Sequence, residues 1–235
     1  MKILAIESSA APASAALWED GLIKGEYLVN TRKVHSQTLM PMVENLLKNT
    51  GTSVGEIDLF AVSSGPGSFT GIRIGVAAVK GMSLGLGRPC AAVSTLEAIA
   101  LGASGFDGVV CAVMDARRNQ FYNALFDFSP AGYQRLTEDR AVSSSQLGEE
   151  LLKFEKNILL VGDGAELCYN NLKDLRRLLL APEHIRYQRA ACVAMLGNRA
   201  HLENTTVSAE DLLPVYLRLP QAERELKKRL QEKNG

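Results

Sequence analysis

Net charge is the first thing this chain lacks: lysine plus arginine and aspartate plus glutamate both number 26 among its 235 residues. A balanced chain does not hold nucleic acid by bulk attraction, and only a local basic patch remains open to it. Long apolar stretches are missing as well. After Met1 a short apolar run gives way at once to Glu7, Ser8 and Ser9 without a signal-peptide core, and no segment reaches the ~20 mostly apolar residues of a membrane span. The expected compartment is the cytosol, with no membrane contact. Cysteine is sparse: Cys90, Cys111, Cys168 and Cys192 lie far apart with no C-x-x-C pairing, so buried, reduced thiols are expected. His35, His184 and His201 are equally scattered, with no H-x-x-x-H spacing, so neither a metal nor a cofactor is expected. The phosphate loop G-x-x-x-x-G-K-[ST] and the nucleophile elbow G-x-S-x-G are both absent.

What the chain does have is glycine in a telling arrangement. The stretch GPGSFTGIRIGVAAVKG, Gly65 to Gly81, joins a tight turn at Gly65, Pro66 and Gly67 to a helix that Ser68 is placed to cap. Gly71, Gly75, Ala78 and Gly85 fall on one helical face, and Ile72, Val76 and Val79 on another. Only Arg73, Lys80 and Ser83 are polar, so both sides of the helix need cover. Spacing leaves two coverings open: another helix of the same chain, or a partner helix admitted to backbone distance by the small residues.

Around this element the pattern predicts mixed α/β lobes. Strands at Lys2–Glu7, Ala13–Trp18 and Leu22–Val29 form a meander, with a hairpin turn at Asp20 and Gly21. A helix follows from His35 toward a stop at Gly51, starting near Pro41 or kinked there. Ile57–Ser63 and Pro89–Val93 read as further strands, and Thr95–Leu101 as a short helix. The glycine-rich segment from Gly102 to Gly108 suggests a boundary between a first lobe, residues 1–102, and a reduced second lobe, 103–235. Beyond it the pattern gives strands at Val109–Met114, Gln120–Phe128 and Asn157–Val161, and helices at Glu166–Leu172, Ala190–Glu203 and Gln221–Lys233. Pro214–Leu219 reads as an extended piece.

Candidate chemistry is thin. Glu7, Ser8 and Ser9 end the first strand, and with Gly65, Gly67 and Ser68 they make a possible phosphate or nucleotide site. A second glycine turn, Gly162–Gly164, stands at another strand end, where ligands of open α/β sheets bind. Asp115 and Arg117 flank a hairpin turn and are expected to fix it. The basic residues of the terminal helix, Lys227, Lys228 and Arg229, are expected to form a solvated face, with RNA contact as the other reading.

ILAIESSA at the start, HSQTLMPMVENLL from His35, SSGPGSFTGIRIGVAAVKGMSLG from Ser63, VSTLEAIA from Val93, MDARRNQFYNA from Met114 and PVYLR from Pro214 together resemble the bacterial TsaB family, also called YeaZ. The resemblance runs over nearly the full length. It implies an α/β, two-lobed fold of the actin, Hsp70 and sugar-kinase type, related to ribonuclease H. It also implies a role in making threonylcarbamoyladenosine beside the anticodon of tRNAs that read codons beginning with adenine. In that family the subunit is noncatalytic and has no protease activity. It pairs with a TsaD-type catalytic subunit, or with itself when alone, is joined by a TsaE-type ATPase, and meets tRNA through the complex. The implied interface is His35, Leu39, Met42, Gly71, Arg73, Ile74, Gly75, Ala78 and Met82. The resemblance leaves Glu7, Ser8, Ser9, Gly65, Gly67 and Ser68 as a vestigial site, with Glu7 where the family has aspartate, and only His35 where catalytic relatives carry paired metal-binding histidines. The alternative of another class is a small ATP-binding phosphotransferase or ATPase of the same fold.

Overall fold

The computed structural model of the chain describes residues 1–31 and 34–218. The expected meander forms from β1 (Lys2–Glu7), β2 (Ala13–Glu19) and β3 (Leu22–Val29), and β4 (Leu59–Gly65) and β5 (Cys90–Ser94) join it in the order β3-β2-β1-β4-β5. The first three strands run antiparallel, while β4 and β5 are parallel to β1 and to each other. A second sheet repeats the plan. Strands β6 (Gly108–Asp115), β7 (Gln120–Ser129), β8 (Gly132–Arg135), β10 (Ile158–Val161) and β11 (Leu178–Leu180) take the order β8-β7-β6-β10-β11, and β9 (Arg140–Ser143) also pairs with β7. Again an antiparallel trio is extended by two parallel strands. This duplication is the two-lobed α/β fold that the resemblance implied.

Side-chain alternation builds the layers. In β1, Leu4 and Ile6 face α1 (His35–Thr50) and α2 (Phe69–Leu86), meeting Leu39, Leu46, Ile72 and Val76, while Ile3 and Ala5 face the opposite side. That opposite side is covered by α7 (Ala190–Leu202), whose Val193 and Leu196 pack on Ala61 and Ala91. Gly197 lets it come close: a Cβ there would stand 2.8 Å from Ala61 Cβ. The second sheet packs α3 (Thr95–Leu101) on one face through Leu96 and Ile99, and α4 (Ser144–Leu151) and α5 (Ala165–Leu172) on the other through Leu147 and Cys168. A one-turn helix, α6 (Glu183–Arg186), precedes α7.

The expected boundary at 102/103 separates the sheets but not the lobes as packed units. The chain returns after the second sheet, so α7 covers the first sheet, and the segment behind it runs back along α2. There Val207 pairs with Cys90, Lys80 donates to the Glu210 carbonyl, Leu212 enters the first core, and Val215 N donates to Ser64 O at 2.7 Å. Of the expected extended piece Pro214–Leu219, residues 214–218 form a strap with no strand, and Leu219 lies outside the described residues.

Helix ends follow their local chemistry. Ser68 Oγ accepts from Gly71 N at 3.3 Å and Ser94 Oγ from Glu97 N at 3.2 Å, while Gly51 and Gly87 close α1 and α2 at φ 61° and 62°. Helix α1 begins at His35 and continues through Pro41, whose missing N–H and the freed acceptor at Gln37 lie on an exposed side. Helix α2 is long and apolar enough by composition to cross a membrane. Its Ile72, Val76 and Val79 instead belong to the first core. All four cysteines are free and buried, and burial pushes the Cys168 and Cys192 thiols up to about 12. The expected helix at Gln221–Lys233 lies outside the described residues.

Candidate functional site

The end of β1 is locked to the start of α2. Ser8 Oγ donates to Gly71 O at 2.9 Å, and Ser68 N donates to Ser9 O at 2.6 Å. Packing here is at backbone distance: a Cβ on Gly71 would stand 2.1 Å from Ser8 O, and one on Gly75 2.5 Å from Ser8 Oγ. Gly71 and Gly75 therefore serve the lobe's own interior. This corrects the expectation that a partner helix packs on Gly71 and Gly75.

Other expected interface residues divide. Leu39 and Met42 are buried in the first core, and Ile74, Ala78 and Met82 are half-buried against it. His35 Nε2 bonds the Ala10 carbonyl at 2.7 Å, so it holds the β1–β2 turn. Arg73 is exposed but engaged within the chain, with its guanidinium 4.1 Å from the Phe69 ring centre and Nε donating to Tyr216 Oη at 2.9 Å. What α1 and α2 leave open is a different set: Met40, Pro41 and Glu44 on α1, and Ala77, Gly81, Leu84 and Gly85 on α2. Leu84 is 65% exposed and Met40 44%, and a Cβ at Gly81 or Gly85 would meet nothing within 4 Å.

The glycine turns expected to cradle a phosphate are filled by the chain itself. Gly65, at φ 136°, would place a Cβ 2.1 Å from Val215 O; Gly67, at φ 157°, would place one 2.5 Å from Ser9 O. In the second lobe, a Cβ on Gly162 would stand 2.1 Å from Val113 O, and one on Gly164 2.8 Å from Asp115 N. Each glycine admits neighbouring backbone. Glu7 and Ser9 are buried beneath these turns. Glu7 Oε1 accepts from Ser9 N at 2.6 Å, whereas Glu7 Oε2, Ser9 Oγ and Ser63 Oγ have no partner among the described residues. Burial lifts the Glu7 carboxyl above the usual range, and the nearby Ser63 and Ser9 groups offset this only in part. Burial likewise raises Asp163 to about 6, opposed by the amide of Gln188 at 3.0 Å and helped by the charges of Asp115 and Glu7. Such carboxyls favour protons over exposed charge. Among the described residues no three of His, Cys, Asp and Glu gather as metal ligands.

Two features lie outside the glycine turns. Glu97 in the VSTLEAIA motif accepts from Tyr133 Oη at 2.7 Å, from Arg135 Nη2 at 2.9 Å and from Arg199, tying α3 to β8 and α7. Burial acts to raise its carboxyl, but these donors outweigh it and hold the pKa down. The second is the β6–β7 turn. Asp115 fixes it as expected, but through Arg117 N at 2.7 Å and not through the guanidinium. Arg117, Arg118 and Asn119 all take left-handed φ, at 65°, 56° and 57°, a conformation that costs a non-glycine residue roughly 1–2 kcal/mol.

The TsaD family model, described as tRNA N6-adenosine threonylcarbamoyltransferase, matches residues 29–226. The tRNA threonylcarbamoyladenosine biosynthesis protein TsaB of Bacillus subtilis is 31% identical, covering 95% of this chain and 96% of the relative. Its Escherichia coli counterpart is 33% identical over 93% of this chain and 95% of the relative. The chain belongs to the TsaB family. Among solved structures, YeaZ from Pseudomonas aeruginosa superposes with a TM-score of 0.80 at 27% identity, covering 92% of this chain and 99% of that one. Membership makes this TsaB-family chain a tRNA threonylcarbamoyladenosine biosynthesis protein, and it gives the motifs quoted above a shared physical basis: most of them sit where the strands end and the chain closes on itself.

Proposed function

We propose that this chain is a noncatalytic subunit of a tRNA threonylcarbamoyltransferase complex, pairing with a TsaD-type catalytic subunit through the outer faces of α1 and α2. The observation that carries the reading is the exposed strip of Ala77, Gly81, Leu84 and Gly85 on α2, apolar and open to close helix approach, with Met40 exposed on α1. A partner of the same family would present an equivalent helix pair, which is why the match to the TsaD model favours pairing of like with like. The same strip serves self-association when no partner is present. A TsaE-type ATPase joins the assembly, and tRNA is met through the complex in the cytosol.

Two features count against a catalytic or ATP-using chain. Its glycine turns are occupied by Val215, Ser9, Val113 and Asp115, and His35 is engaged by Ala10. The test is reconstitution. The purified chain should transfer no threonylcarbamoyl group to tRNA and cleave no protein, should give no heat with ATP and magnesium in titration calorimetry, and should restore activity to a TsaD-type subunit with a TsaE-type ATPase. Turnover by the chain alone would overturn the reading.

A further inference from the structure

The β6–β7 turn is over-determined, and nothing that holds it uses its two arginine side chains. Ala116 N donates to Gln120 O at 3.0 Å, Gln120 N to Arg117 O at 3.3 Å, and Ser144 N to Asn119 O at 3.3 Å. Asn171 Nδ2 reaches Asn119 Oδ1 at 3.1 Å, and the Arg218 guanidinium bonds Ala116 O. Arg117 and Arg118 are exposed, and their guanidinium groups have no hydrogen-bond or ion-pair partner among the described residues. The amides of Arg118 and Asn119 are likewise without a protein acceptor among them. A turn in the left-handed region is built at least cost from glycine or asparagine. Arginine at two of its three left-handed positions is unexplained by the turn itself.

What remains is a rigid tip presenting two guanidiniums and two free amides, with Arg218 adding a third positive charge at its base. Asp115 is the carboxylate within the turn, and it is committed to Arg117 N. Guanidinium groups with backbone amides form a receptor for phosphate oxygens. We propose that the Arg117–Arg118 turn contacts the phosphodiester backbone of the tRNA. The turn fixes the backbone from which the two side chains project, so a chain of zero net charge still offers a local cationic contact for phosphate. This rests on the reading that the chain works on tRNA within a complex.

The test uses Arg117→Asn with Arg118→Asn, which suits left-handed dihedrals and removes both charges, and Arg117→Lys with Arg118→Lys, which keeps them. Binding of a tRNA transcript is followed by fluorescence anisotropy across a salt series, for the chain assembled with its TsaD-type partner and for the chain alone at low ionic strength. The asparagine pair should weaken binding by about tenfold or more and shrink the log–log salt slope by about 1.4 to 1.8, the value for two phosphates. Pairing and melting should stay as they were, and the lysine pair should keep the slope. Unchanged affinity and slope in the asparagine pair would overturn the proposal, as would lost pairing with an unchanged slope, which would make the turn a protein-docking site. If the wild-type chain fails to pair, the subunit reading falls while the low-salt series on the chain alone still reads the turn.

Discussion

Ser8 and Gly71 meet at backbone distance: the Ser8 carbonyl oxygen lies 2.1 Å from where Gly71 would carry a Cβ. The contact pins the β1–β2 turn to the first turn of α2, and Gly75 extends it one turn further against Ser8 Oγ and Val62. It divides the glycines of α2 into an inner pair and an outer pair.

The two pairs should respond oppositely to substitution. Gly75→Leu forces a branched side chain into the first core, and overpacking of this kind costs about 1–3 kcal/mol. At roughly 2–4 °C per kcal/mol for a chain of this size, the melting temperature should drop by several degrees. Gly81→Leu enters open space and removes a helix-interior glycine, which should stabilise the isolated chain by about 0.5–1 kcal/mol. If the outer strip is the pairing surface, Gly81→Leu should weaken association with the TsaD-type subunit despite its higher melting point. Sedimentation of the mixture with parallel calorimetric melts reads both effects, and intact pairing in Gly81→Leu would refute the surface assignment.

The strap over α2 should carry measurable stability. Leu212 is fully buried in the first core, so Leu212→Ala should cost about 2–4 kcal/mol, within the usual range for truncating a core leucine. Tyr216→Phe keeps the ring 4.9 Å from Phe69 and removes only the Arg73 hydrogen bond. Its cost should be near 1 kcal/mol or less, the net worth of one exposed hydrogen bond. Denaturant titration of both variants checks the ranking, and an equal cost for the two would mean that Leu212 is not part of the core.

Much of the first lobe was legible because its signals are local. Ser68 caps α2, Gly51 stops α1, and Thr95–Leu101 has the bounds its pattern predicts. The side of α2 that faces inward was not legible. Gly71 and Gly75 satisfy a pattern that serves equally for a partner helix or for the chain's own turn, and only the fold brings Ser8 beneath them. Short or edge elements were missed for a different reason: β8, β9 and β11 have three or four residues each, too few for periodicity to register. The return of α7 to the first sheet is likewise a long-range fact, invisible to local spacing. In the candidate site Gly65 and Gly67 lie in the tight turn that the pattern suggested, but what fills the space beside them is Val215 of the strap and Ser9 of the β1–β2 turn.

The buried carboxyls give a pH signature. Asp163 has a folded pKa of about 6 against an ordinary value of 3.8, so between about pH 4 and 6 the folded chain binds more protons than the unfolded one. Stability from this group is therefore present below that window and lost as pH rises through 6, and the raised Glu7 carboxyl acts in the same direction. Asp163→Asn keeps an acceptor for Gln188 and removes the charge. It should raise stability at pH 7.5 by about 2–3 kcal/mol, from 1.36 kcal/mol per pKa unit, and flatten the profile between pH 4 and 6. Urea midpoints across pH check this; an Asp163→Asn variant with the wild-type pH profile would show that Asp163 does not carry the linkage.

Glu97 should behave in the opposite sense. Its carboxylate joins α3 to Arg135 and Tyr133 on β8 and to Arg199 on α7, and its lowered pKa means that stability from the cluster is present above the ordinary glutamate range and lost as acid protonates it. Glu97→Gln keeps the shape and removes the charge that neutralises two arginines. Breaking a fully buried pair costs 3–5 kcal/mol, and since Arg135 and Arg199 retain solvent access the cost here should be about 1–3 kcal/mol. The loss should be largest near neutral pH and vanish in acid, where wild type and variant are both uncharged at this position. Replacing Arg135 with Met in the Glu97→Gln background should cost less than in wild type, because the partner charge is already gone. A double-mutant cycle at pH 7 and again in acid reads the coupling directly. Additive costs at neutral pH would mean that Glu97 and Arg135 stabilise the fold independently and that the cluster is not a unit joining the lobes.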